Sequence, residues 1–294
     1  MMRTPGFEIR RDGAIAEIIL NRPNETNSLV ENFWVEFPDA IRELDQDGNV
    51  RVAILRGEGR NFCSGIDVAL LERFLGEDQG VEIGRFRANL RLMLLRMHEA
   101  MSAMEQARFP TIAVVQGACI GGALDLASAC DLRVAAADAY FCMQEIHMGL
   151  VADLGVLQRL SALIPPAIAR ELAMTGRRLK ADEAHRLGFV NRMAPDIETA
   201  LGVARELAAE IAAKSPLAIW GTKEILNDFD RRRLEDGLRY VAAWNSGMFM
   251  PEDVLASIAA ARRKQPASYR DLLPIDAPAI PPRRTSAKRL TDVQ

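Results

Sequence analysis

The stretch "PTIAVVQGACIGGALDLASACDLRVAA", Pro110 to Ala136, does most to limit the fold. Its opening run is β-branched and apolar without alternation, the signature of a strand buried on both faces, and so of a sheet covered on both sides. Two glycines, a short apolar helix and a second apolar strand follow. "VRVAILRGEG", Val50 to Gly59, repeats the strand-then-glycine pattern, and "FEIRR-DG-AIAEIIL" at the start predicts a hairpin, because Asp-Gly favours a tight two-residue turn. Strands alternating with helices imply a layered α/β domain.

Between these strands, "RPNETNS" is a loop whose Asn27 or Ser28 can cap a helix over "LVENFWVEFPDAIRELDQ", with Pro38 expected to kink it. A long amphipathic helical stretch runs from after "RNFCSGID" to Arg108. The expected organisation is a core over residues 1–196 and an all-helical region over 197–265, suited to docking on a partner subunit. Residues 266–294 form an irregular tail holding five prolines and no period. No fixed-period repeat appears.

With 294 residues, 49% of them hydrophobic, the chain has ample apolar surface for one large core. A formal net charge of -3 supplies no global basic field, so nucleic acid and anionic membrane are not expected partners. The run Arg231 to Arg233 is a basic spot that reads as a solvated helix face. No apolar run approaches the roughly 20 residues that cross a bilayer. Cys63, Cys119, Cys130 and Cys142 form no close pair and no metal-ligand spacing appears, so reduced core cysteines, no metal and no cofactor are expected. Without a signal peptide or a peroxisomal "SKL" ending, the expected compartment is the cytoplasm.

The chemistry gathers at the glycines. Gly121 and Gly122 stand at a strand-to-helix turn, where backbone N–H groups lack helical partners and the helix dipole favours negative charge. "NFCSGIDVALL" is a second turn of this kind, able to add the N–H of Ile66, although Asp67 there also suits a plain helix cap. Three acids follow: Asp125 one turn into an apolar helix, Glu145 in "YFCMQEIHMGL", and Asp153 in "VADLGVLQRL". Singly, each has an ordinary role as buried acid, ion-pair partner or N-cap. A carboxylate held against apolar walls has its charged form disfavoured, which suits proton transfer near neutral pH. His98 and His185 read as packing or surface residues.

"NFCSGID", "VQGACIGGALDLASACDLRVAA" and "QEIHMGLVADLGVLQRLSALI" together resemble the crotonase superfamily, also called enoyl-CoA hydratase/isomerase, over roughly Phe7 to Arg262. The resemblance implies an α/β spiral of ββα units with a C-terminal helical trimerisation region, assembled as a trimer or a dimer of trimers. It implies an acyl-CoA thioester whose carbonyl sits between the N–H groups of Ile66 and Gly122, with coenzyme A arriving as part of the substrate. Ser64, Gly65, Ile66, Asp67 and Val68 would touch the acyl-CoA, and Asn27 and Leu29 its nucleotide part. The triad Asp125, Glu145 and Asp153 resembles that of the dienoyl-CoA isomerases, where hydratases place glutamates at the positions of 125 and 145 and a glycine-rich stretch around 153. That implies conversion of a 3,5-dienoyl-CoA to a 2,4-dienoyl-CoA, with Asp153 as base at carbon 2, Glu145 as acid at carbon 6 and Asp125 flanking them. His147 departs from the isomerase pattern, which has an acid there, and Ala123 replaces a third glycine. Enoyl-CoA hydration, and a non-catalytic acyl-CoA-binding oligomer, are the alternative expectations.

Overall fold

A computed structural model describes residues 2–76, 82–248 and 251–269. Successive side chains of the central strands of the main sheet point to opposite faces. Strands β1 (Met2–Thr4), β2 (Phe7–Asp12) and β3 (Ile15–Leu20) form antiparallel pairs; the chain then crosses by helix α1 (Glu31–Asp47) to β4 (Val52–Gly57), parallel to β3. Helices α2 (Val68–Gly76) and α3 (Ile83–Gln106) lead to β5 (Thr111–Val115), parallel to β4, so the single long helical stretch of the sequence is two helices. Val52, Ile54, Ile112 and Val114 point to one face while Ala53, Leu55, Ala113 and Val115 point to the other, all buried. This is why these strands lack an alternating pattern in the sequence.

After β5 the chain leaves the main sheet, which the sequence did not suggest. Gly117 adopts φ +53°, and a side chain there would collide with Arg60 O at 2.5 Å. The turn sends Ala118–Ile120 (β6) into a second, three-stranded sheet with β8 (Tyr140–Cys142) and β9 (Leu179–Lys180). Helix α4 (Gly122–Ala129) starts from β6 and returns the chain to β7 (Leu132–Ala136), which pairs in parallel with β5. Helices α5 (Val156–Leu163), α6 (Pro166–Thr175) and α7 (Ala181–Arg186) precede β10 (Arg192–Ala194) at the edge of the main sheet, whose order is β1-β2-β3-β4-β5-β7-β10.

Helix α8 (Ile197–Ala212), grouped by the sequence with the C-terminal region, covers the back of this sheet. Its Ala200, Ala204 and Ala208 are fully buried at four-residue spacing against Val52, Ile54, Ile112, Val114 and Val134. Helix α9 (Pro216–Met248) crosses α3, and α10 (Pro251–Arg262) packs against the turn that carries Glu145. Buried Lys223 fastens α9: its ammonium donates to Met104 O (3.2 Å), Phe109 O (3.0 Å) and the Asp131 carboxylate (2.8 Å). Those three acceptors use all three of its hydrogens.

The other expectations fare unevenly. Helix α1 starts after Val30 with no side-chain cap, because Asn27 and Ser28 are occupied elsewhere, and it runs through Pro38 without ending. All four cysteines are free and buried. The side chains of Arg231 to Arg233 and the tail beyond residue 269 lie outside the described residues. Among those described, no helix is long and apolar enough to cross a membrane and no cluster of metal ligands occurs.

Candidate active site

Three backbone segments are stitched side by side to make the floor of the site. Residues 61–65 run along β6, with Cys63 N donating to Ala118 O (3.0 Å) and Ile120 N to Cys63 O (3.2 Å). On their other side lies the loop after β3, where Leu29 N donates to Gly65 O (2.8 Å), Asp67 N to Leu29 O (3.1 Å) and Ser64 N to Thr26 O (2.9 Å). Asn27, in the left-handed region at φ +55°, locks that loop from within. Its side chain accepts from Arg22 N and donates to the carbonyls of Glu58, Asn61 and Phe62 at 2.8–3.1 Å. The Asn27 side chain is thus turned inward and engaged with the protein itself.

The two glycine turns abut. Gly65 has φ +83°, and a methyl group there would stand 2.7 Å from Ile120 O and 3.1 Å from Gly122 N. Gly121 takes φ +56° at the N-terminus of α4, its N–H held by Cys142 O at 3.0 Å. Among the described residues, the N–H groups of Ile66 and Gly122 have no acceptor. Leu29, Ile66 and Leu154 ring Gly122 with apolar atoms 3.5–3.7 Å from where its Cβ would be. Ala123 is the second residue of a wholly buried helix, a position that needs no third glycine.

Three acids border this floor. Asp125 is fully buried; its Oδ1 accepts the N–H of Val156 at 2.6 Å and so caps α5, leaving Oδ2 buried without a partner. Glu145 begins a short 3-10 turn and places Oε1 3.3 Å from the Cβ position of Gly121, while its Oε2 is buried and unpartnered. Asp153 sits in the loop before α5 and accepts from Asn245 Nδ2 at 2.6 Å.

Burial raises all three pKa values, by unequal amounts. Asp153 is pushed to about 6 by burial, opposed by the Asn245 hydrogen bond. Asp125 rises to about 7 through burial, against the Val156 N–H and the nearby Arg159 charge. Glu145 goes well above the usual carboxylate range, through burial and then repulsion from Asp125 and Asp153. The arrangement therefore sets three carboxyl groups with raised and unequal pKa values, Asp153 at about 6 and Glu145 well above the usual carboxylate range, beside two free N–H donors.

Other sequence candidates fall around this centre. Asp67 serves α2 by accepting from Ala69 N at 3.0 Å and ties the turn to Ser28 (2.7 Å) and Arg22 (3.2 Å). Ser64 Oγ accepts from the Thr26 hydroxyl at 2.7 Å, and Val68 is exposed at the mouth of the turn. His147 swings away from the acids, its Nε2 2.9 Å from Gly176 O. Two further residues reach the Asp153 loop: His98, read from the sequence as a packing or surface residue, and Asn245, given no role there. Buried His98 lies with Nε2 2.6 Å from Asp153 O, and Asn245 binds the Asp153 carboxylate from 92 positions downstream. Nothing local to "RMHEA" or "AWNSG" reveals those contacts.

A layered α/β enzyme with paired backbone donors and a wall of carboxyl groups is the class these features define. The chain belongs to the enoyl-CoA hydratase/isomerase family, whose model matches residues 10–271. Among curated proteins it is 40% identical over 262 residues to the peroxisomal Delta(3,5)-Delta(2,4)-dienoyl-CoA isomerase of Arabidopsis thaliana, covering 89% of this chain and 94% of that one. It is 38% identical over 247 residues to the mitochondrial protein of the same name from Homo sapiens, covering 84% and 75%. Among solved structures, an enoyl-CoA hydratase/isomerase from Mycobacterium paratuberculosis superposes with TM-score 0.78 at 28% identity, covering 87% of this chain and 98% of that one. The fold is thus the crotonase-type α/β fold. The relatives' peroxisomal and mitochondrial names give the expected cytoplasmic location no support.

Proposed function

We propose that the protein isomerises a 3,5-dienoyl-CoA to the 2,4-dienoyl-CoA. The thioester oxygen rests between the N–H groups of Ile66 and Gly122. Asp153 takes a proton from carbon 2, and the C–H electrons flow into a dienolate whose charge the two N–H groups stabilise. Glu145 then gives its proton to carbon 6, and the double bonds settle at positions 2 and 4. Asp125 holds α5 in place, and burial, with repulsion from Asp125 and Asp153 behind it, raises the pKa of Glu145. The observation that carries this reading is the unequal environment of the acids, which leaves one suited to accept a proton and another to give one.

The test is to mix the purified protein with a 3,5-dienoyl-CoA and follow the ultraviolet absorbance as the diene enters conjugation with the thioester. A rapid rise is expected, reduced about 10²–10⁴-fold in both Asp153→Asn and Glu145→Gln. Consumption of a 2-enoyl-CoA without that rise would move the assignment to hydration. Binding of the thioester with no turnover would leave a non-catalytic acyl-CoA-binding oligomer.

Assembly into trimers or paired trimers belongs to the same proposal. Helix α9 exposes Leu217, Ile225, Leu226, Tyr240 and Trp244, more apolar surface than a solitary helix normally presents to water. Light scattering on the eluted protein is expected to give three or six times the 32.5 kDa chain mass. A monomer would refute it.

A further inference from the structure

Asp153 is held by parts of the chain remote from it. The amide of Asn245 directs both Nδ2 hydrogens at one loop, one to Val151 O at 2.9 Å and one to Asp153 Oδ2 at 2.6 Å. A carbonyl and a carboxylate both only accept, so this orientation of the amide is chemically required. Asn245 is itself buried, on the helix that Lys223 and Asn227 fasten to the core. Across the loop, His98 Nε2 donates to Asp153 O at 2.6 Å, a bond that needs the proton on Nε2. Burial lowers the pKa of His98, which favours the neutral ring.

We propose that Asn245 is a positioning residue for proton abstraction: it clamps one oxygen of Asp153 and holds the carboxylate in place to receive the proton of carbon 2. The inference rests on the base role given to Asp153 above. Two hydrogen bonds from a single rigid amide fix both the loop and the side-chain torsion. An amide N–H also favours the ionised carboxylate over the neutral acid, which keeps the base available. The other charged groups facing Asp153 are Asp125 from α4 and Glu145 from the 3-10 turn, with Arg159 of α5 bonded to the adjacent Leu154 O at 3.1 Å. None of them donates to the Asp153 carboxylate.

The test compares wild type, Asn245→Leu and Asn245→Asp on a 3,5-dienoyl-CoA from about pH 5 to pH 9. The leucine removes both donors, and the aspartate keeps the shape while placing a second carboxyl against the first. Loss of one hydrogen bond to a charged group corresponds to about one pH unit. The acid limb of kcat/KM is therefore expected to move up by about one unit in Asn245→Leu and further in Asn245→Asp, with kcat at neutral pH falling about tenfold and KM little changed. If the leucine variant does not fold, the aspartate variant alone carries the comparison. Acid limbs that coincide, or a loss confined to KM, would overturn the clamp while leaving the isomerase intact. A wild type without isomerase activity, or an Asp153→Asn protein as fast as wild type, would instead overturn the base assignment and the clamp with it.

Discussion

The glycine turns and the acid wall lie within a few ångströms of each other and are built on opposite terms. Around Gly65 and Gly121 the backbone is held by many bonds: Asn27, Gln116 Nε2 and Asn61 bond backbone atoms, and three segments are sewn edge to edge, with Gln116 Oε1 and the N–H groups of Ile66 and Gly122 left over. The acid wall leaves Asp125 Oδ2 and Glu145 Oε2 buried without partners and sets three carboxyl groups to repel one another. In the proposed reaction the donors of the first region must already stand where charge will develop, so rigidity is their contribution. In the same reaction the acids must gain and lose protons, and full satisfaction of either state would hold them in it.

Loss of Asp153 or Glu145 gives the largest effect expected from this contrast. Next comes Gly65→Ala, which forces a methyl toward Ile120 O in a backbone conformation that alanine resists. We expect kcat to fall about 10²–10³-fold, the scale of losing one oxyanion donor, with an unchanged pH profile. A shifted pH profile in this variant would mean that the two regions are not separable.

Asp125→Asn makes the smaller, opposite change. The folded pKa of Asp125 lies near 7, above its ordinary value of 3.8, so the folded protein binds this proton more tightly than the unfolded chain. Its contribution to stability is full below about pH 4 and is lost as pH rises through 7. Asparagine still accepts from Val156 and carries no charge. Denaturant unfolding is expected to show the variant about 1–3 kcal/mol more stable than wild type at pH 8, and no more stable at pH 4. Equal stability at both pH values would mean that the acid wall stores no strain.

The same contrast explains what could be read from the sequence. The doubly buried strands, the two glycine turns and the three acids stand out because local pattern or residue type reports them. The departure of β6 from the main sheet hides in "VVQGA", where a single glycine redirects the chain and the apolar run continues past it. Helix α8 resembles its helical neighbours in composition, and only its alanine stripe fits it to the sheet. His98 and Asn245 act through contacts 55 and 92 positions long, which no local spacing encodes.

The Lys223 anchor also sets an order of events. Its acceptors lie 92 to 119 positions earlier, so a chain leaving the ribosome has made the socket long before the plug. Sheet, turns and all three acids can assemble while Asp131 still faces water. Only when α9 emerges does the ammonium seat, drawing Asn245 in behind it. The enzyme is thus completed by its last helices: a nascent chain halted after α8 would carry every proposed catalytic group and lack the amide that aims one of them.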